Sequence, residues 1–85
     1  MEKQFEEAKK KVESFTKRPN DDELLHLYGL FKQATIGDVN TPQPGMFAFK
    51  DRAKWNAWNE KKGMKQEVAM QSYVDYVNTL AKTYQ

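Results

Sequence analysis

Four stretches of this chain carry apolar residues at helical spacing, and none carries the sustained alternation that a half-buried strand requires. Phe5, Ala8, Val12 and Phe15 recur by threes and fours along the first stretch, from about Gln4 to Phe15. Pro19 then disfavours helix in the residue before it, and Asn20 with Glu23 three places on forms a capping-box-like start. The second helix is expected to run to about Ile36, with Gly37 as its stop. A loop rich in breakers follows, from Gly37 to about Lys50, holding Asn40, Pro42, Pro44 and Gly45. Its own apolar residues, Met46, Phe47 and Phe49, are expected to pack. A third helix is expected over about Asp51 to Lys62, stopped by Gly63, and a fourth over about Lys65 to Tyr84. The expectation is an all-α, antiparallel four-helix bundle, with residues 1–85 forming one domain.

At roughly 100° per residue, Ala69, Tyr73, Val77, Leu80, Ala81 and Tyr84 share one stripe of the fourth helix. On the second, Leu24, Leu27, Leu30, Phe31 and Ala34 fill a comparable arc. Leu25 and Tyr28 widen that arc beyond what one core contact needs, and Lys32 falls between them in angle. A cation between a leucine and a tyrosine suits a ligand with a charged head and an apolar tail. Lys54 repeats the theme within Phe49-Lys-Asp-Arg-Ala-Lys-Trp-Asn-Ala-Trp58. Taken singly, these residues have plainer roles: Tyr28 as a boundary aromatic, Lys32 and Lys54 as solvated lysines, Tyr73 as core. Trp58 is assigned to the core and Trp55 is left open. It is the joint spacing that points to a site.

Several function classes are disfavoured. With no cysteine, neither a disulfide framework nor a thiolate metal site can form. His26 is the only histidine and has no convincing second ligand, so no metal site is expected. Ser14 and Ser72 lack a base and an orienting acid, so the serine-hydrolase arrangement is unsupported. A net charge of +2 is too small to imply a polyanion such as DNA. No apolar run approaches the roughly 18 residues of a membrane span. The charged N-terminus is unlike a secretory signal, and a cytoplasmic protein is expected. The acidic run Asp21-Asp-Glu23 complements the positive end of the second helix.

The run Tyr28-Gly-Leu-Phe-Lys-Gln-Ala-Thr-Ile-Gly-Asp38, the Pro44-Gly45 turn, Lys54-Trp-Asn-Ala-Trp58 and Tyr73 resemble the acyl-CoA-binding protein family, over essentially the whole chain. The resemblance implies a four-helix, non-catalytic binder, buffer and transporter of long-chain acyl-CoA. Tyr28, Lys32 and Lys54 then match positions around the 3′-phosphate of the CoA nucleotide. Tyr73 matches a position near adenine, and Arg18 one that often carries lysine near the nucleotide. Leu24, Leu25, Phe49 and Ala53 match positions along the acyl-chain groove. The expected ligand is the acyl-CoA itself, with no further cofactor, no metal and no nucleic acid. A monomer is expected, in transient contact with acyl-CoA-using enzymes or membranes.

The chain also departs from the family pattern. Phe31 stands where tyrosine is common and Glu13 where a base is often found, which removes a hydroxyl and a cation from the phosphate neighbourhood. Met64-Lys65 replaces the usual serine or threonine cap of the last helix, at a cost of about 1 kcal/mol. Two alternatives remain at this level: a helical protein-interaction module, and the CoA-docking domain of a thioester-handling enzyme.

Overall fold

The computed structural model describes residues 1–85 and contains four helices. They are α1 (Glu2–Glu13), α2 (Asp21–Thr35), α3 (Phe49–Asn59) and α4 (Gln66–Tyr84). The all-α reading holds, and the helix ends differ from expectation by a few residues. α1 stops before Phe15 because Ser14 turns back on it, its hydroxyl donating to the Lys11 carbonyl at 2.7 Å. Phe15 still packs, its ring 6.4 Å from that of Tyr84.

The start of α2 follows the capping box. The Asn20 side chain accepts from the Glu23 N–H at 2.8 Å, and the Glu23 carboxylate accepts from the Asn20 N–H at 2.9 Å. Gly37 and Gly63 have φ of +98° and +91°, left-handed conformations that glycine adopts without steric cost and that end the preceding helical turns. α4 begins after Lys65, which makes no side-chain cap bond, as the loss of the usual hydroxyl implies.

The core is one cluster of Phe5, Ala8, Leu27, Leu30, Ala34, Ala69, Tyr73, Val77 and Leu80. Each large member stabilises the fold by about 1.5–3 kcal/mol relative to exposure. The rings of Phe5, Phe31 and Tyr73 meet there, with Phe5 5.0 Å from Tyr73 and 5.9 Å from Phe31. α2 runs antiparallel to α4. Its C-terminal Gln33 reaches the Met64 carbonyl before α4, His26 meets Tyr76 midway, and Glu23 accepts from the Tyr84 hydroxyl at the far end. α1 reverses into α2 through a short link, and so lies parallel to α4, with Phe5 beside Tyr73 and Phe15 beside Tyr84. At that end the Thr16 and Lys17 N–H groups and the Thr16 hydroxyl all donate to the Tyr84 carbonyl, satisfying an orphan acceptor of the helix terminus.

α3 packs on α2, and the long loop is tied down around it. The indole N–H of Trp58 donates to the Gly37 carbonyl at 2.8 Å, and that of Trp55 donates to the Thr41 carbonyl at the same distance. Gln43 bonds Asn56 at 2.9 Å. The loop is therefore held by hydrogen bonds to its backbone carbonyls and to the Gln43 side chain. Met46, Phe47 and Phe49 do not pack, contrary to expectation: they are 68%, 84% and 72% exposed. Met46 and Phe47 sit at the corners of a turn closed by the Ala48 N–H on the Gly45 carbonyl, which turns both side chains outward.

Behind the loop, Gln33 is 1% exposed and holds two elements at once. Its amide donates to the Asp38 carboxylate at 2.9 Å and to the Met64 carbonyl at 2.7 Å. Asp38 also accepts from the Gly63 N–H at 2.8 Å. Those bonds from Gly63 and Gln33 hold the Asp38 carboxyl below its ordinary range. No helix is long and apolar enough to cross a membrane.

Candidate functional site

Helical spacing on α2 sets Leu24 and Tyr28 one turn apart, with Leu25 beside them, and on α3 it sets Lys50 and Lys54 one turn apart. Where these faces meet they enclose an open hollow of about 380 Å³, lined by Leu24, Leu25, Tyr28 and Ala53, with Arg18, Asp21, Lys50 and Lys54 completing the lining. The Arg18 guanidinium is bridged to Asp21 at 3.1 Å. A second hollow of about 420 Å³ lies against it, between the loop and α3, lined by Thr41, Pro42, Pro44, Trp55 and Trp58 among others. Tyr28 and Lys54 belong to both, so the two hollows meet at this pair.

Aromatic faces hold the site's lysines. The Lys54 ammonium stands 5.7 Å from the Tyr28 ring centroid, and the Lys32 ammonium 5.0 Å from the Trp58 ring. Cation–π attraction at partly exposed sites is worth about 0.5–1 kcal/mol, enough to bias a long side chain without immobilising it. Trp58 is itself fixed by its bond to Gly37, so the platform under Lys32 is rigid. Chemically, this is a concave, partly apolar surface flanked by cations and a phenolic hydroxyl, with one carboxylate in each hollow, Asp21 in the first and Asp51 in the second. It can neutralise a phosphate and shelter an aliphatic or aromatic surface beside it. Nothing in the lining couples a nucleophile to a base.

Of the residues named from the sequence, six come together in the first hollow: Arg18, Leu24, Leu25, Tyr28, Ala53 and Lys54. Lys32 lines neither hollow; its ammonium stands over Trp58, which lines the second. Phe49 and Tyr73 are not brought into either. Phe49 stands exposed at the first turn of α3. Tyr73 is buried in the aromatic cluster of the core; burial, and then the charge of Glu13, push its hydroxyl above its ordinary value.

Comparison with known proteins decides the family. The sequence matches the family described as Acyl CoA binding protein over residues 2–77. The chain belongs to the acyl-CoA-binding protein family. It is 50% identical to the acyl-CoA-binding protein homolog of Drosophila melanogaster over 84 residues, covering 99% of this chain and 98% of that protein. It is also 50% identical to acyl-CoA-binding protein 2 of Saccharomyces pastorianus over 80 residues, covering 94% and 92%. Among solved structures, Oryza sativa acyl-CoA-binding protein 2 superposes with a TM-score of 0.91 at 41% identity, over 95% of this chain and 90% of that one. The solution structure of an acyl-CoA-binding protein from yeast gives 0.77 at 45%, over 99% and 98%.

Within this acyl-CoA-binding protein fold, sequence reasoning missed Lys50, Asp21 and the walls that Thr41, Pro42 and Pro44 supply to the second hollow. Lys50 carries a readable signal, since it lies four residues before Lys54 on the same helical face. The loop walls carry none, because their position depends on the tryptophan bonds that fold the loop back. Trp55, left open from sequence, lines the second hollow and donates to Thr41.

Proposed function

We propose that this protein is a single-domain, non-catalytic carrier and buffer of long-chain acyl-CoA esters in the cytoplasm. The observation that carries the reading is the junction at Tyr28 and Lys54 of two hollows, one walled by leucine and alanine, the other by proline and tryptophan. In this reading Lys32 and Lys54 grip the 3′-phosphate of CoA through charge-assisted hydrogen bonds. Tyr28 adds a directional hydroxyl, and Arg18 contributes charge near the nucleotide. Adenine stacks on an aromatic or cationic plane; Tyr73, buried in the core, leaves that role to the aromatics that line the hollows. The acyl chain runs along Leu24, Leu25 and Ala53, toward Phe49 at the start of α3.

Head and tail then contribute by different physics. Each buried methylene adds on the order of 0.8 kcal/mol, so affinity rises with chain length until the chain outruns the groove. The head fixes orientation and keeps free fatty acid from competing. Sequestering the thioester shields it from water, and the monomeric carrier passes it on in transient encounters with enzymes that consume acyl-CoA.

Isothermal titration with palmitoyl-CoA, with CoA and palmitate as controls, tests the proposal. One-to-one binding of the ester, with both fragments much weaker, is the expected result. Equal affinity for palmitate and palmitoyl-CoA would remove the head group from recognition, and no binding of the ester would overturn the proposal.

A further inference from the structure

We infer that the turn Gly45–Ala48 and the start of α3 form a docking element for anionic lipid bilayers. Met46, Phe47 and Phe49 place three large apolar side chains in water within four residues, at 68%, 84% and 72% exposure. Singly exposed apolar residues are ordinary; a contiguous group is not. The turn is held in shape by the Ala48 N–H on the Gly45 carbonyl at 3.1 Å, and the loop behind it by the Gln43–Asn56 bond. The apolar corner is therefore presented by a fixed backbone.

The chemistry beside it selects the partner. Residues 46–54 hold three cations, Lys50, Arg52 and Lys54, against one anion, Asp51. Cations beside an exposed aromatic wedge match a bilayer of anionic headgroups over an acyl-chain layer, where basic residues near the surface are attracted by the negative surface potential. The wedge is built from three exposed side chains. A specific protein partner would need a matching socket and roughly 1,200–2,000 Å² of total buried surface, whereas a fluid acyl layer receives such a wedge without one. The carrier reading is not needed for this inference, which concerns the ligand-free protein.

Flotation of the ligand-free protein with vesicles tests it, using phosphatidylcholine alone and phosphatidylcholine with phosphatidylserine. The wild type is expected to partition onto the anionic vesicles and to be released as salt rises, since screening shortens the reach of the cations. The double variant Met46→Ser, Phe47→Ser, with its helical circular dichroism unchanged, should partition about tenfold or more weakly. Its affinity for palmitoyl-CoA should equal that of the wild type. Absence of partitioning, equal partitioning onto neutral vesicles, or equal partitioning of the variant would each overturn the inference. Because the vesicles carry no acyl-CoA, such a failure leaves the titration of the carrier reading untouched.

Discussion

Gly29 of α2 lies directly against the Ala57 carbonyl of α3, so close that a Cβ at residue 29 would stand 2.5 Å from that oxygen and 2.9 Å from its carbon. Both obstacles are backbone, which cannot swing aside. The approach of the two helices, and with it the placement of Ala53 and Lys54 beside Tyr28, depends on residue 29 having no side chain.

Gly29→Ala separates two effects of opposite sign. In an unobstructed helix interior alanine would stabilise by about 1 kcal/mol relative to glycine. Here the methyl group must push α3 away, and overpacking of this kind costs about 1–3 kcal/mol or more. The expected outcome of urea unfolding is a net loss of up to about 2 kcal/mol, together with weaker palmitoyl-CoA binding. A gain in stability would mean that α3 is free to move.

Gln33 joins the end of α2 to the loop and to the entry of α4 through Asp38 and Met64. Gln33→Leu keeps the volume nearly constant but strips the Met64 carbonyl of this donor and takes one from Asp38. Met64 is only half-buried, and the substitution also removes the buried, unpartnered Oε1 of Gln33. Urea unfolding is therefore expected to show a loss of about 1 kcal/mol, the low end of the cost of an unpaired acceptor. An unchanged midpoint would show that water replaces the amide.

The sequence made the helices legible because their apolar spacing and their punctuation agree. Asn20 with Glu23 starts α2 by local hydrogen bonds alone, and Gly37 and Gly63 end turns by their own conformational freedom, so no tertiary knowledge is needed. The site is legible in part for the same reason: Leu24, Leu25 and Tyr28 share a face by helix geometry. What could not be read depends on long-range contacts. Gly29 looks like a flaw in a helix until Ala57 lies against it. Met46 and Phe47 look like core by hydropathy, and only the turn at Gly45 sends them outward. The buried role of Gln33 needs Asp38, Gly63 and Met64 to converge from two loops.

His26 makes stability sensitive to mild acid. Its ring lies edge-on to Tyr76, with centroids 4.5 Å apart, and its Nδ1 is 2.9 Å from the Lys61 ammonium. Burial first, then the Lys61 charge, lower its pKa from 6.5, with Glu60 opposing. The folded state thus favours the neutral ring. The resulting stabilisation is present above the unfolded pKa and is lost as pH falls through the lower folded one. Urea midpoints taken between about pH 7.5 and pH 5 should fall for the wild type and stay flatter for His26→Gln. Asp38, also lowered, titrates below this window. Equal slopes would remove His26 as the cause.

Lys32 provides the sharpest test of head-group recognition, because its ammonium is poised over Trp58 and is absent from the lining of the first, leucine-walled hollow. If it grips the 3′-phosphate, Lys32→Ala removes a charge-assisted bond worth about 1.5–3 kcal/mol, and palmitoyl-CoA should bind roughly 10- to 100-fold more weakly. An analogue lacking the 3′-phosphate should lose far less, since its wild-type complex never had that bond. Titration of both ligands against both proteins closes the cycle. A shared loss would assign Lys32 to general electrostatic attraction, and an ionic-strength series would then identify it, because a diffuse attraction weakens with screening while a seated bond persists.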